Sequence, residues 1–294
     1  MQIPILDSHH HIWRQKDLPW LMGPMVPRIF GPYEPLRRDY LIAEYLADIA
    51  GSGVVKSVHV QANAADPEAE AAWVQRTAEE TGWPHAIVAF ADLTAADVRP
   101  ALDRLARFPL VRGIRMQIHW HAKPQYRFAP RPDLADDPVF RRNFAALADY
   151  GFTFDLQIFD RQAESAVRLA RDFPQTTLVL QHAGMPEDLT EAGRERWRSA
   201  MRRLAAERNV VTKLSALGTF IHRNDPAHIA RIVSDTLAIF GPERCLFGSN
   251  FPIEKLWTDY ASLIGAYRAA IPDPAIARAV FHDTAARVYR LGPP

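Results

Sequence analysis

The chain has 294 residues, 48% of them hydrophobic and 23% charged, a balance that excludes disordered and fibrous classes and suits one large domain. Lysine plus arginine number 35 against 34 acidic residues, for a net charge of +1, so a broad basic surface for nucleic acid is not expected. The single cysteine, Cys245, excludes an intrachain disulfide and a cysteine-built zinc cluster. The opening MQIPILDSHHHIW lacks the pattern of a secretory signal, and no run of about 18 apolar residues occurs. A soluble, cytoplasmic protein with no membrane partner is therefore expected.

Short apolar runs recur along the chain: IPILDSHHH (3–11), VVKSVHVQA (54–62), HAIVAFADL (85–93), VRGIRMQIH (111–119), FTFDLQI (152–158), TLVLQHAG (177–184), NVVTKLS (209–215) and RCLFGSN (244–250). Their length and β-branched content predict buried strands of a parallel sheet. After the first run comes a proline- and aromatic-rich insertion, residues 12–37, with Trp13, Trp20, Phe30 and Tyr33. Between later runs, apolar residues recur at helical spacing, as in Leu41, Tyr45, Leu46 and Ile49, or Ile229, Ile232, Val233 and Leu237. Asp66-Pro67 and Asp225-Pro226 read as helix starts, and Gly51, Gly82 and Gly151 as helix stops. No G-x-G-x-x-G follows the first run, which disfavours a doubly wound sheet. About eight strand–helix alternations predict a single-domain (β/α)8 TIM barrel over residues 1–294, with the 12–37 insertion as a lid over its mouth.

In such barrels the chemistry gathers at the C-terminal ends of the strands. Those ends carry His9, His10 and His11, then Gln61, Asp92, Arg115 with Gln117, Gln157, His182, Lys213 with Ser215, and Asn250. His9 and His11 lie two apart on an extended strand, so their imidazoles leave on one face and form half of a divalent metal site. His182 is a candidate third ligand, whereas His10 points the other way and reads as packing. His119, Trp120 and His121 stand at and just after the end of the fourth run and are expected in the pocket wall. Lys213 reads either as positive charge for an acidic substrate or as half of an ion pair. Cys245 reads as core.

The stretches DSHHHIW (7–13), GIRMQ (113–117), FDLQ (154–157), LQHAGMP (180–186), TKLSALG (212–218) and RCLFGSNFP (244–252) resemble the amidohydrolase superfamily, in its lactonase-like branch. The resemblance implies a hydrolase of a small lactone, from a sugar acid or a dicarboxylate. It implies His9, His11 and His182 as ligands of one divalent ion, zinc or manganese, although branch members also work without metal. Arg115 would then hold the substrate carbonyl or carboxylate. The strand-eight position, usually Asp in the branch, is Asn250 here, and an amide cannot serve as a base near neutral pH. If no metal binds, His182 or one of the pair His9 and His11 becomes the candidate base, with Asp155 as a second candidate. Gln117, His119, Trp120, His121, Gln157 and Lys213 are expected to bind the small-molecule substrate. A metal-dependent decarboxylase and a catalytically weakened binding barrel are the alternatives. The closing segment FHDTAAR (281–287) is expected on the outside of the barrel.

Overall fold

The computed structural model describes residues 3–292. Eight strands lie parallel and in sequence order: β1 (Ile5–His10), β2 (Val54–Val60), β3 (Ala86–Ala89), β4 (Val111–Ile114), β5 (Thr153–Leu156), β6 (Leu178–Leu180), β7 (Val210–Leu214) and β8 (Cys245–Phe247). The ring is closed by the stretch after β8: Asn250 N donates to His9 O and His11 N to Phe251 O, each at 2.7 Å. Each strand is followed by a helix: α1 (Ile42–Asp48), α2 (Pro67–Thr81), α3 (Arg99–Leu105), α4 (Pro138–Ala145), α5 (Ala163–Asp172), α6 (Glu191–Ala205), α7 (Pro226–Phe240) and α8 (Tyr260–Ala270). This is the (β/α)8 barrel, and the predicted strands fall where the apolar runs stand.

Local chemistry explains the boundaries. The Asp66 and Asp225 carboxylates accept the backbone N–H of Ala69 and His228 at 2.9 and 3.0 Å, with proline at the first helical position of α2 and α7. Asp137 caps α4 in the same way. Such a cap stabilises by about 1 kcal/mol. Gly82 and Gly151 end their helices in the left-handed region, at φ of 78° and 62°. The strands are shorter than the runs because the run ends leave sheet geometry: His182 and Asn250 have φ of 55° and 58°. No helix among the described residues is long and apolar enough to cross a membrane.

Two apolar layers follow from the strand alternation. Ile5, Ile87, Ile114, Phe154, Leu178 and Phe247 face the surrounding helices. Leu6, Val58, Val60, Val88, Val179, Val211 and Leu246 fill the barrel interior. The closing segment does not lie outside as the sequence led us to expect. Ala285, Val288 and Tyr289 belong to the interior cluster, and the Tyr289 hydroxyl reaches Asp155 Oδ1 on β5 at 3.1 Å. The segment forms the barrel floor, packing these residues against the interior side chains of the strands.

Candidate active site

At the C-terminal ends of the strands lies a cavity of about 280 Å³, near the lower bound for small-molecule sites. Its lining includes His11, Arg115, Gln117, His119, Gln157, His182 and Asn250, each at or just beyond a strand end. Trp13, Trp20, Arg28 and Phe30 of the insertion line it as well. That insertion is pinned down by Trp20 Nε1 donating to Ala62 O at 2.9 Å and Trp13 Nε1 to Arg38 O at 2.8 Å. Asn63, His182, Met185, Ala216 and Asn250 all line the cavity and all have positive φ. Left-handed backbone at non-glycine positions is costly, and here it concentrates where side chains must turn inward.

Beneath the cavity lies a buried polar network. Asp155 Oδ2 accepts from Lys213 Nζ at 2.6 Å and from Gln181 Nε2 at 2.8 Å. Gln181 Oε1 in turn accepts from Arg115 Nη1 at 3.2 Å, and Arg115 Nη2 donates to Gln61 O. The guanidinium is thus held on one edge, and its buried Nε has no protein partner. Burial lowers the Arg115 pKa to about 10, so it remains cationic at neutral pH. Gln117 Nε2 donates to Gln157 Oε1 at 3.3 Å, and the Gln117 Oε1 is without a partner.

The histidines are close together. The His9 ring centroid lies 5.1 Å from that of His11 and 4.8 Å from that of His182. His11 Nδ1 lies 2.6 Å from Val60 O, and since a carbonyl only accepts, Nδ1 carries the proton and Nε2 its lone pair. His182 Nδ1 lies 2.8 Å from Ser215 Oγ. Both ring nitrogens of buried His9 lack a hydrogen-bond partner. Burial pushes all three imidazoles well below their usual range, helped by Lys213 at His9 and by Arg115 at His11 and His182. Among the described residues no group of three or more His, Cys, Asp or Glu is already gathered at metal-holding distances. The donor set nonetheless fits a single ion, because it offers neutral imidazoles, two of them anchored through Nδ1, and His9 nitrogens that nothing in the protein satisfies. His10 stacks on Tyr45 at 3.9 Å and bonds Ser57 Oγ, the packing role expected of it.

Three expected substrate contacts are elsewhere. Lys213 is fully buried in its pair with Asp155, below the cavity, because alternation along β7 carries it into the barrel interior. That pair also removes Asp155 as a base. His121 turns away to Glu187 Oε1 at 3.1 Å. Trp120 lies under the Arg127 guanidinium, 5.0 Å from its ring centroid. Neither Trp120 nor His121 is among the lining residues, since the loop after β4 reverses there. His119 alone of that trio lines the cavity, between Phe128 and Phe159, and burial lowers its pKa to about 3.

Arg28, Phe128, Thr219 and Phe220 line the cavity without having been singled out from the sequence, and Glu254 stands behind it. Arg28 sits in the insertion already read as a lid, which was the available signal. Glu254 is an acid four positions after the residue where the acid is missing.

Comparison with known proteins agrees with this geometry. The family model described as amidohydrolase matches residues 6–291. A Sinorhizobium fredii protein described as uncharacterized protein y4mH is 35% identical over 295 residues, covering 98% of this chain and 99% of that protein. A Burkholderia multivorans protein named L-fucono-1,5-lactonase is 31% identical, covering 98% of this chain and 97% of its own. A crystal structure of an amidohydrolase from Burkholderia multivorans with bound zinc is 30% identical and superposes with a TM-score of 0.81, covering 98% of this chain and 100% of that one.

Proposed function

The chain belongs to the amidohydrolase family, and on that premise we propose that it opens a small sugar-acid or dicarboxylate lactone by water attack on the ester carbonyl. The observation that carries this reading is the cavity's donor set. Arg28, Arg115 and Arg127 line it with Gln117, Gln157 and His119, and no carboxylate occurs among the described lining residues. An ester carbonyl gains negative charge as water adds, and buried, fixed donors stabilise that charge more than the neutral ester. Arg115 is the donor for the developing oxyanion, because its guanidinium is already anchored and has an N–H to spare.

His182 takes the water's proton on Nε2, in the tautomer whose Nδ1–H donates to Ser215 Oγ, and passes it to the ring oxygen as the C–O bond breaks. Its lowered pKa keeps it neutral at pH 7, the form that accepts a proton. Gln117, Gln157 and His119 bind hydroxyls or a carboxylate of the substrate. Trp13, Trp20 and Phe30 exclude water above the ring. Asn250 orients the attacking water as a hydrogen-bonding group rather than as a base. When a divalent ion is present, His9, His11 and His182 would hold it, His182 Nε2 then being a ligand rather than the proton acceptor, and an all-nitrogen set suits zinc better than manganese. When bound, such an ion supplies Lewis acidity toward the ester carbonyl. The name of the lactonase relative and the zinc in the related crystal structure support this reading.

The test is acid release, followed with a pH indicator, on a panel of six-membered sugar-acid lactones and dicarboxylate lactones. At least one is expected to turn over, and His182→Ala to lose most of that activity. Thermal stabilisation by the same lactones without acid release would replace the hydrolase with a binding barrel. Plasma mass spectrometry on the same preparation is expected to find about one zinc per chain, lost when His9 and His11 become alanine. Full lactone turnover by zinc-free protein would assign the chemistry to Arg115 and His182 alone.

A further inference from the structure

The missing acid of strand eight has a neighbour. Asn250 leads into a single turn, Ile253–Leu256, that carries Glu254 back behind it, with Glu254 N donating to Asn250 O at 3.3 Å. Glu254 is 1% exposed, a rare state for a glutamate without a cation. Its Oε2 accepts from Trp257 Nε1 at 2.8 Å, while its Oε1 has no partner of full hydrogen-bond geometry. The side chains of Asn250 and Thr219 are the remaining groups close enough to interact with the carboxyl, and both line the cavity. The Thr219 hydroxyl is likewise buried without a partner. The loop after β7 packs closely on the carboxyl: a Cβ on Gly218 would fall 2.6 Å from Trp257 Nε1, 2.7 Å from the Arg223 carbonyl oxygen and 3.0 Å from Glu254 Oε2, so the loop and the Glu254–Trp257 pair meet where residue 218 has no side chain.

We propose that Glu254 is a positioning residue for Asn250 and Thr219, a carboxyl moved from the cavity wall at position 250 to the layer behind it. Its catalytic consequence rests on the lactonase reading, whereas the coupling between positions 250 and 254 does not. Accepting the Asn250 Nδ2–H, the carboxyl leaves Asn250 Oδ1 directed at the cavity as an acceptor for the attacking water. Accepting the Thr219 O–H, it fixes that hydroxyl with its lone pairs outward. The ionised carboxyl suits Trp257, Asn250 and Thr219 as donors together, because a protonated one adds a donor of its own and reverses at least one of these bonds. Burial raises the Glu254 pKa to about 8, with Trp257, Asn250 and Thr219 holding it lower than burial alone would. Around it, α8 contributes the Tyr267 phenol, itself pushed up by burial and by Glu254. His222 stands beyond the Trp257 ring, 6.0 Å between centroids, and Lys255 faces away to Glu44 and Asp48. No cation in these contacts neutralises Glu254.

An acid at both positions would set two carboxyls against each other in a buried space. The test is therefore a four-member cycle of the full chain: native, Asn250→Asp, Glu254→Gln and the double variant. Melting temperature is read between pH 6 and 9, and lactone hydrolysis over the same range. Asn250→Asp alone is expected to melt several degrees lower, more so at pH 9, and Glu254→Gln in the same chain to recover at least about 4 °C. Glu254→Gln alone is expected to lower kcat roughly tenfold or more and to remove a rise in kcat with pH, which a purely structural side chain would not do. Additive melting shifts, or a double variant no better than Asn250→Asp, overturn the inference. So does a Glu254→Gln enzyme with native kcat and native pH profile. If no lactone turns over while the melting shifts are coupled, the positioning pair stands and the lactonase reading falls.

Discussion

Asp155→Ala is expected to leave the barrel unfolded or barely folded at pH 7. Lys213 and Asp155 are both fully buried, with Nζ 2.6 Å from Oδ2. Removing the carboxylate strands an ammonium in the interior, a loss of about 3–5 kcal/mol in comparable pairs. The Gln181 amide and the Tyr289 hydroxyl lose their acceptor as well, at about 1–3 kcal/mol for each group left unsatisfied. Against a total stability of about 5–15 kcal/mol, that is a large fraction. The pH dependence has a definite sign. Burial already lowers the Lys213 pKa, and without Asp155 it falls further. The unfolded chain then binds a proton the folded chain does not, so the variant's deficit shrinks as pH rises toward the free lysine value of about 10.4. Urea unfolding at pH 7 and pH 9.5 measures both. A Lys213→Met partner substitution should recover much of the loss, because it removes the stranded charge rather than replacing its partner. A variant within about 1 kcal/mol of the native protein at pH 7 would mean the pair contributes no more than a surface contact.

The largest expected effect on activity is at Arg115. Replacing it with methionine is expected to lower kcat/KM by about a hundredfold to a thousandfold, the usual cost of losing an oxyanion donor. The loss should fall on kcat, since the donor works hardest once charge has developed on the carbonyl oxygen. Lysine should restore little, because one ammonium cannot reach both the Gln61 carbonyl and Gln181 while also facing the cavity. A rise in KM with kcat unchanged would reassign Arg115 to ground-state binding of a carboxylate.

What could be read from the sequence, and what could not, divides along a physical line. Strand positions were legible because a strand buried on both faces needs an apolar run, and β3, β6 and β8 are apolar throughout. Helix starts were legible as Asp-Pro, since the cap and the fixed φ act within a few residues. His9 and His11 were legible as a pair through alternation, although β1 is irregular between Asp7 and His10. Lys213 was ambiguous because its partner is 58 positions away on another strand, and alternation gives the face but not the height within the barrel. Trp120 and His121 were misplaced because a reversing loop has no period to follow. Glu254 escaped notice because an acid in a turn is ordinarily solvated, and only the fold buries this one. The closing segment was misread for a related reason: Ala285 and Val288 would look the same whether they met a helix or the barrel floor.

That floor has a consequence for how the molecule comes into being. A polypeptide is made from one end, and this barrel takes both its clasp and its plug from the far end. Phe251 joins the first strand to the last, and Tyr289 supplies a hydroxyl to a carboxylate 134 positions earlier. A nascent chain that has emerged only through β7 therefore has Asp155 and Lys213 but not yet the last strand and the tyrosine that enclose them. The barrel is a vault whose keystone is set last, so its interior charges reach their final surroundings only after translation has passed the final strand.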